Sequence, residues 1–167
     1  MGQPTLTKVL AGGAPSENTT PSLCRVDEQA FFACSIARST KIVSLCGSRY
    51  VDHRRGYVQY RYGKPGALEL QFPQARANTQ RVFRYADYFR AQVERSEISF
   101  DTQDFHYIIF DYYEGDTKPA TAIAGVRVSK HGATQMETEL QCRGKALNKL
   151  GRLKTVIPAD ADNPLNR

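Results

Sequence analysis

Along most of the chain, apolar and polar residues exchange places at every second position, the period of a half-buried strand. Phe32, Cys34 and Ile36 alternate with Ala33 and Ser35, and the apolar run 42–46 follows after a turn at 37–40, which predicts a hairpin over residues 30–46. Val58, Tyr60 and Tyr62 alternate with Tyr57, Gln59 and Arg61. Gly63-Lys64-Pro65-Gly66 then turns the chain into Leu68, Leu70 and Phe72, and Pro73 stops it, so residues 56–73 predict a second hairpin. Phe83, Tyr85 and Phe89 predict a strand near 82–90, although the Ala- and Arg-rich flanks would tolerate helix. Ile98 and Phe100 lead through a turn at 102–104 into a strand over 105–113. Beyond the acidic loop 114–119, segments 122–129 and 136–142 are expected to pair across 130–133, with Met136, Thr138 and Leu140 inward. Only residues 145–153 invite a helix, through Leu147, Leu150 and Leu153. The expected fold is mainly all-β: an antiparallel sandwich or barrel of roughly eight or nine short strands with one short C-terminal helix.

The ends lack this pattern. Residues 1–22 carry Pro4, Gly12-Gly13, Pro15 and Pro21 and read as a flexible lead-in, residues 23–157 as one β domain, and residues 158–167 as a polar, frayed tail. A composition 41% hydrophobic, with nine Tyr and eight Phe, supplies a core and argues against global disorder. No run reaches the roughly 18–20 apolar residues of a membrane-spanning helix.

Charge and cysteines narrow the setting. Lys plus Arg number 23 against 17 Asp plus Glu, a net charge of +6. That balance suits an acidic protein face, an anionic envelope polymer or nucleic acid, and it also suits a basic surface kept for solubility. Cys24, Cys34, Cys46 and Cys142 form no C-x-x-C pair and have no histidine at finger spacing, so no metal site is expected from them. An even count spread over a strand-rich chain predicts two disulfides formed in an oxidising compartment, which leaves little occasion to meet nucleic acid. Alternation puts Cys34 and Cys142 on inward rows but does not choose among the three connectivities. Residues 1–10 contain no charged start followed by an apolar block, and Met1-Gly2 is read as a start placed before a mature chain whose leader is gone.

Catalytic patterns are missing: there is no nucleophile elbow, phosphate loop, dinucleotide fingerprint or zinc-protease helix. His53 and His131 fall in turns. His106 stands on a strand two residues after Asp104, a spacing that could orient it as a general base, but no nucleophile accompanies it. Glu137 and Glu139 share an outward strand face and read as solvation. The stretch 111–116 offers oxygens around Gly115 without the spacing of a calcium loop. Neither an enzyme nor a cofactor is expected. What stands out is Tyr interleaved with Arg: Arg54, Arg55, Tyr57, Arg61, Arg84 and Tyr88 are the expected partner-binding residues, in an outward surface flanked by the loops 47–56 and 74–81. Rigid rings and forked cations carry much of the energy at protein interfaces.

The segments Phe32-Ala33-Cys34-Ser35, Lys41-Ile42-Val43-Ser44-Leu45-Cys46-Gly47-Ser48, Gly56-Tyr57-Val58-Gln59-Tyr60-Arg61-Tyr62-Gly63 and Glu69-Leu70-Gln71-Phe72-Pro73 resemble the signature of a group of small exported proteins of Gram-negative bacteria. Leu140-Gln141-Cys142-Arg143-Gly144 continues it. More loosely, the plan is similar to periplasmic lysozyme inhibitors and toxin-immunity proteins. That resemblance implies a periplasmic or secreted binding protein that blocks an antibacterial or cell-wall-targeting enzyme, with a toxin or cell-wall hydrolase as protein partner. The alternative is a binder of an anionic envelope ligand such as peptidoglycan fragments or lipopolysaccharide. A basic lysozyme would be repelled by this charge; an acidic face would be drawn to it.

Overall fold

The computed structural model describes residues 20–133 and 137–166, and all statements of structure concern these. The chain forms two five-stranded antiparallel sheets packed as a sandwich. The first contains β1 (Glu28–Ser35), β2 (Ile42–Ser48), β3 (Val58–Lys64), β4 (Ala67–Phe72) and the two-residue β10 (Leu147–Asn148), in the order β10-β1-β2-β3-β4. The second contains β5 (Phe83–Arg90), β6 (Val93–Asp101), β7 (Phe105–Glu114), β8 (Thr121–Lys130) and β9 (Glu137–Gln141) in chain order. The expected hairpins are present, and β5 is a strand where helix was the competing reading. The flexible lead-in falls almost wholly on residues 1–19, and the inward placement of Met136 on residue 136; both lie outside the described residues.

Alternation builds the core directly. Phe32, Val43, Leu45, Val58 and Tyr60 face Phe83, Ile98, Phe100, Ile109 and Val126, all of them fully buried. Phe72 stacks on Phe100 across the gap between the sheets, with centroids 4.9 Å apart, and Phe100 stacks on its cross-strand neighbour Tyr107 at 4.8 Å. Leu150 and Leu153 close one end of this core. They sit in a four-residue 3-10 turn, Leu150–Leu153, and no α-helix occurs among the described residues. The i, i+3 spacing of these leucines eclipses in a 3-10 turn and needs no longer helix. Leu147, which the helical reading had recruited, pairs instead with Ala33 in β10.

A crossover joins the two sheets along one side. Cys142 N–H bonds Ala124 O of β8, while Ala37 N–H bonds Gln141 O and Arg143 N–H bonds Ser35 O beside β1. The inward cysteines meet here as the Cys34–Cys142 disulfide, and the second bond is Cys24–Cys46.

Both faces of the first sheet are covered. Cys46 lies on the outer face, so its bond to Cys24 draws residues 22–27 across that face as a strap. Two residues expected on a partner-binding surface are thereby taken inside: Arg61 is 1% exposed and Tyr57 is half-buried. Arg61 grips Glu28 and the Gln59 carboxamide oxygen, and Tyr57 donates its hydroxyl to Glu28. A guanidinium can be buried because every charge around it is matched.

The frayed tail is also corrected. Tyr85 N–H bonds Pro158 O and Asp160 N–H bonds Tyr85 O, so residues 158–160 extend the outer edge of β5 in parallel. Beyond them Asn163 Nδ2 donates to Glu97 Oε2 at 2.6 Å. An open strand edge and a 5%-exposed carboxylate both call for partners, and the polar tail supplies them.

Candidate functional site

The connection between β2 and β3, residues 49–56, is short, exposed and held at every turn. Asp52 Oδ1 accepts the backbone N–H groups of Arg54 and Arg55, each at 2.7 Å, so the carboxylate forms the floor of the turn. Those two N–H donors hold the Asp52 carboxyl below its ordinary value, with the Arg55 guanidinium adding to the effect. Gly56 turns the chain back at φ +84°, and a Cβ there would fall 2.1 Å from Ser48 Oγ, so only glycine fits. Ser48 Oγ in turn accepts Tyr57 N–H.

The second expected loop acts as a buttress for the first. Thr79 Oγ1 accepts Val58 N–H and donates to Val58 O, and Asn78 N–H bonds Gly56 O. Next to them, the buried Gln80 sends its amide nitrogen to two carbonyls of the 49–56 loop, Asp52 O at 2.7 Å and Arg55 O at 2.8 Å. Gln59 Nε2 ties the start of the same buttress through Pro73 O. Sequence reasoning missed Gln80 because a glutamine in a polar loop carries no signal of burial.

This frame presents a specific set of side chains. Tyr50 is 86% exposed while Val51 turns inward against the core. Arg54 and Arg55 stand in solvent, with His53 beside them. Arg49 reaches the strap through Val26 O, and Val26 is 96% exposed. Among the described residues, Arg49, Arg54, Arg81 and Arg84 make no ion pair with a carboxylate; Arg55 alone touches Asp52. Arg84 donates to Arg81 O and Phe83 O, so it lies next to the buttress. Tyr88, four residues further along β5, lies against Arg95 on the outer face of the second sheet, away from the loop. Of the six expected binding residues, the structure gathers Arg54, Arg55 and Arg84 at one end of the sandwich. It buries Arg61 and half-buries Tyr57, and it leaves Tyr88 apart.

The groups considered for catalysis have the following partners. His106 Nδ1 lies 2.8 Å from Asp101 Oδ1 rather than meeting Asp104, and His131 Nε2 approaches Thr102 O on the same turn. In the acidic loop, Glu114 pairs with Arg95 and Asp116 with Arg90, while Asp111 belongs to the opposite face of β7. Glu139 accepts from Gln141 and lies 3.7 Å from Arg127. No helix among the described residues is long and apolar enough to cross a membrane. Set against protein-family models, curated proteins and solved structures, the chain matches none of them.

Proposed function

We propose that the protein is a periplasmic binding protein that inhibits an antibacterial or cell-wall-targeting enzyme, using the 49–56 loop to enter an acidic cleft. The observation that supports this reading is an internally bonded loop whose Arg49 and Arg54 have no carboxylate partner among the described residues, beside the exposed Tyr50. A loop already ordered by Asp52 and Gln80 surrenders little entropy on binding, which is where flexible loops lose affinity. Unpaired arginines add electrostatic steering toward a carboxylate-lined cleft, and cell-wall glycosidases work with paired carboxylates. Two disulfides suit an oxidising compartment.

The test is charge reversal at the two exposed arginines of the loop. Wild-type protein, incubated with periplasmic extract of its host and of competing strains, should retain an enzyme and suppress its activity. The Arg54→Glu/Arg55→Glu variant should lose it, and retention should weaken steeply with added salt. An equal catch by the double variant, or no enzyme retained at all, overturns the reading. The same unpaired cations support the alternative, an anionic envelope ligand. Titration with lipopolysaccharide and peptidoglycan fragments separates the two, since only the second reading expects salt-sensitive binding without any enzyme.

A further inference from the structure

The core face of the second sheet runs on beyond the first. The strand registers place Ser96, Asp111 and Ala124 in one row and Glu94, Tyr113 and Ala122 in the next, both continuing the buried row Ile98, Ile109 and Val126. β6 and β7 have nine and ten residues where β2 and β3 have seven, and at about 3.4 Å per residue the longer strands overhang. The crossover, residues 141–148, faces this ledge across a half-open cavity of about 720 Å³ lined by both. That volume lies within the range of small-molecule sites. None of its lining residues belongs to the 49–56 loop.

The lining is asymmetric in charge. Glu94 and Asp111 bring two carboxylates and Lys145 one ammonium, and none of the three is ion-paired among the described residues. One strand face away, Glu114 and Asp116 have arginine partners. Burial pushes the Asp111 carboxyl above its ordinary value, against the Asn148 amide and the Lys145 ammonium, and the charge of Glu94 adds to the rise. A cation arriving in the cavity would relieve that cost. The sheet side of the remaining wall is apolar or aromatic, with Ala122, Ala124 and the ring of Tyr113, which is 46% exposed, while the crossover side adds the carboxamides of Gln141 and Asn148. The ring lies over Gly115, where a Cβ would come within 2.8 Å of it, so the glycine makes room for its position.

We propose that this ledge cavity binds an alkylammonium group, with Asp111 and Glu94 taking the charge and Tyr113, Ala122 and Ala124 packing the methylene stem. An anion would meet the wrong sign. A bare hard metal ion wants six or more oxygens, and the side chains of this lining offer two carboxylates and two carboxamides beside an ammonium that would repel it. An aromatic face beside carboxylates suits an ammonium, which both attract. The same group occurs on a free organic amine and on a lysine side chain of a peptide, and the experiment distinguishes these sources.

The full chain, labelled with nitrogen-15, is titrated at neutral pH and low salt with n-butylammonium chloride, Nα-acetyl-lysine methylamide and the uncharged Nα-acetyl-norleucine methylamide. Saturable amide shifts at Glu94, Asp111, Tyr113 and Lys145 are expected with both amines, and binding about tenfold weaker or worse with the norleucine compound. Whichever amine binds more tightly assigns the source as free or peptide-borne. Asp111→Asn, and separately the exposed Glu94→Gln, should each weaken amine binding several-fold with the spectrum elsewhere unchanged; the second serves if the first does not fold. Equal binding of the norleucine compound, unchanged affinity in the folded variants, or no saturable shift with either amine overturns the proposal. The loop reading stands or falls separately, on Arg54 and Arg55.

Discussion

Arg61 and Glu28 meet in a two-pronged ion pair beneath the strap, Nη1 to Oε2 at 2.5 Å and Nη2 to Oε1 at 2.7 Å, with their side chains only 2% and 1% exposed. Leu23 O and Gln59 Oε1 take the remaining guanidinium donors, and Arg25 N–H and the Tyr57 hydroxyl complete the carboxylate. Such a pair contributes little over an apolar replacement of both members, but breaking it strands a buried charge. Arg61→Met should therefore lower stability by roughly 3–5 kcal/mol in urea unfolding. Arg61→Met with Glu28→Gln should recover a substantial part, because the orphaned charge is gone. A single variant as stable as wild type would show the pair to be solvated.

Acid should attack the same place. Burial by itself would raise the Glu28 carboxyl; the Arg61 guanidinium, Arg25 N–H and Tyr57 hydroxyl outweigh it and hold the group at about 2, below its ordinary 4.5. A carboxyl with a depressed folded pKa adds stability above its unfolded value and loses it as pH falls through the folded one. Stability should decline as pH drops from 4.5 toward about 2. Glu28→Gln should flatten that part of the urea-midpoint profile. An equally steep decline in the variant would assign the acid sensitivity to other carboxylates.

The two disulfides should differ in weight. Cys34–Cys142 spans a sequence separation of 108 and Cys24–Cys46 one of 22. In the chain-entropy description these correspond to about 5 and about 3 kcal/mol. Replacing the first pair by serine should cost more in urea unfolding. Replacing the second should uniquely accelerate amide exchange at residues 59–61, because it releases the strap that covers them. The reverse order of stabilities would contradict this account.

Ending the chain after Ile157 removes the edge partner of Tyr85 and the Asn163 amide from Glu97. Glu97 keeps the Tyr112 hydroxyl on Oε1 but loses the donor on Oε2, at a cost of about 1–3 kcal/mol. The truncated protein should melt at lower temperature and associate at high concentration through the bared β5 edge, as sedimentation would detect. An unchanged melting curve would mean that the tail's contacts carry no stability.

Gln80→Ala keeps every charge of the 49–56 loop and withdraws only its support. Amide exchange at residues 52–56 should quicken while global stability falls by about 1 kcal/mol. Affinity for the partner proposed for this loop should drop several-fold with the salt dependence unaltered, since ordering cost and not charge has changed. Unaltered affinity would show the loop to be ordered without Gln80.

Much of the architecture was legible because both sheets rely on period-two alternation, and residues such as Tyr60 and Ile109 declare their side by their neighbours. The misplacement of Arg61 and Tyr57 has an instructive cause. Alternation separates the two faces of a strand but does not say that the outward one is wet. A clue was present in Cys46: it alternates with the inward Leu45, so any bond it makes must carry chain over the outer face. Asp111 likewise lies on the same strand face as Ile109, an inward carboxylate that alternation alone marks as unusual. The buttress role of Gln80 had no such mark, because it depends on where two loops meet and not on the residues within either. The polar tail misled for a related reason: its partners, Tyr85 and Glu97, lie more than sixty positions away.

The crossover at residues 141–143, bonded to both β8 and the end of β1, has a mechanical consequence. One margin of the sandwich is stitched by main-chain hydrogen bonds and a disulfide, whereas the opposite margin has no cross-link among the described residues: Phe72 of β4 meets Phe83 of β5, the 73–82 segment joins the two strands, and residues 158–160 run along the outer edge of β5. A body built this way should loosen first along the margin that lacks the cross-link. Solvent should reach the rings at the free margin long before it reaches Cys34.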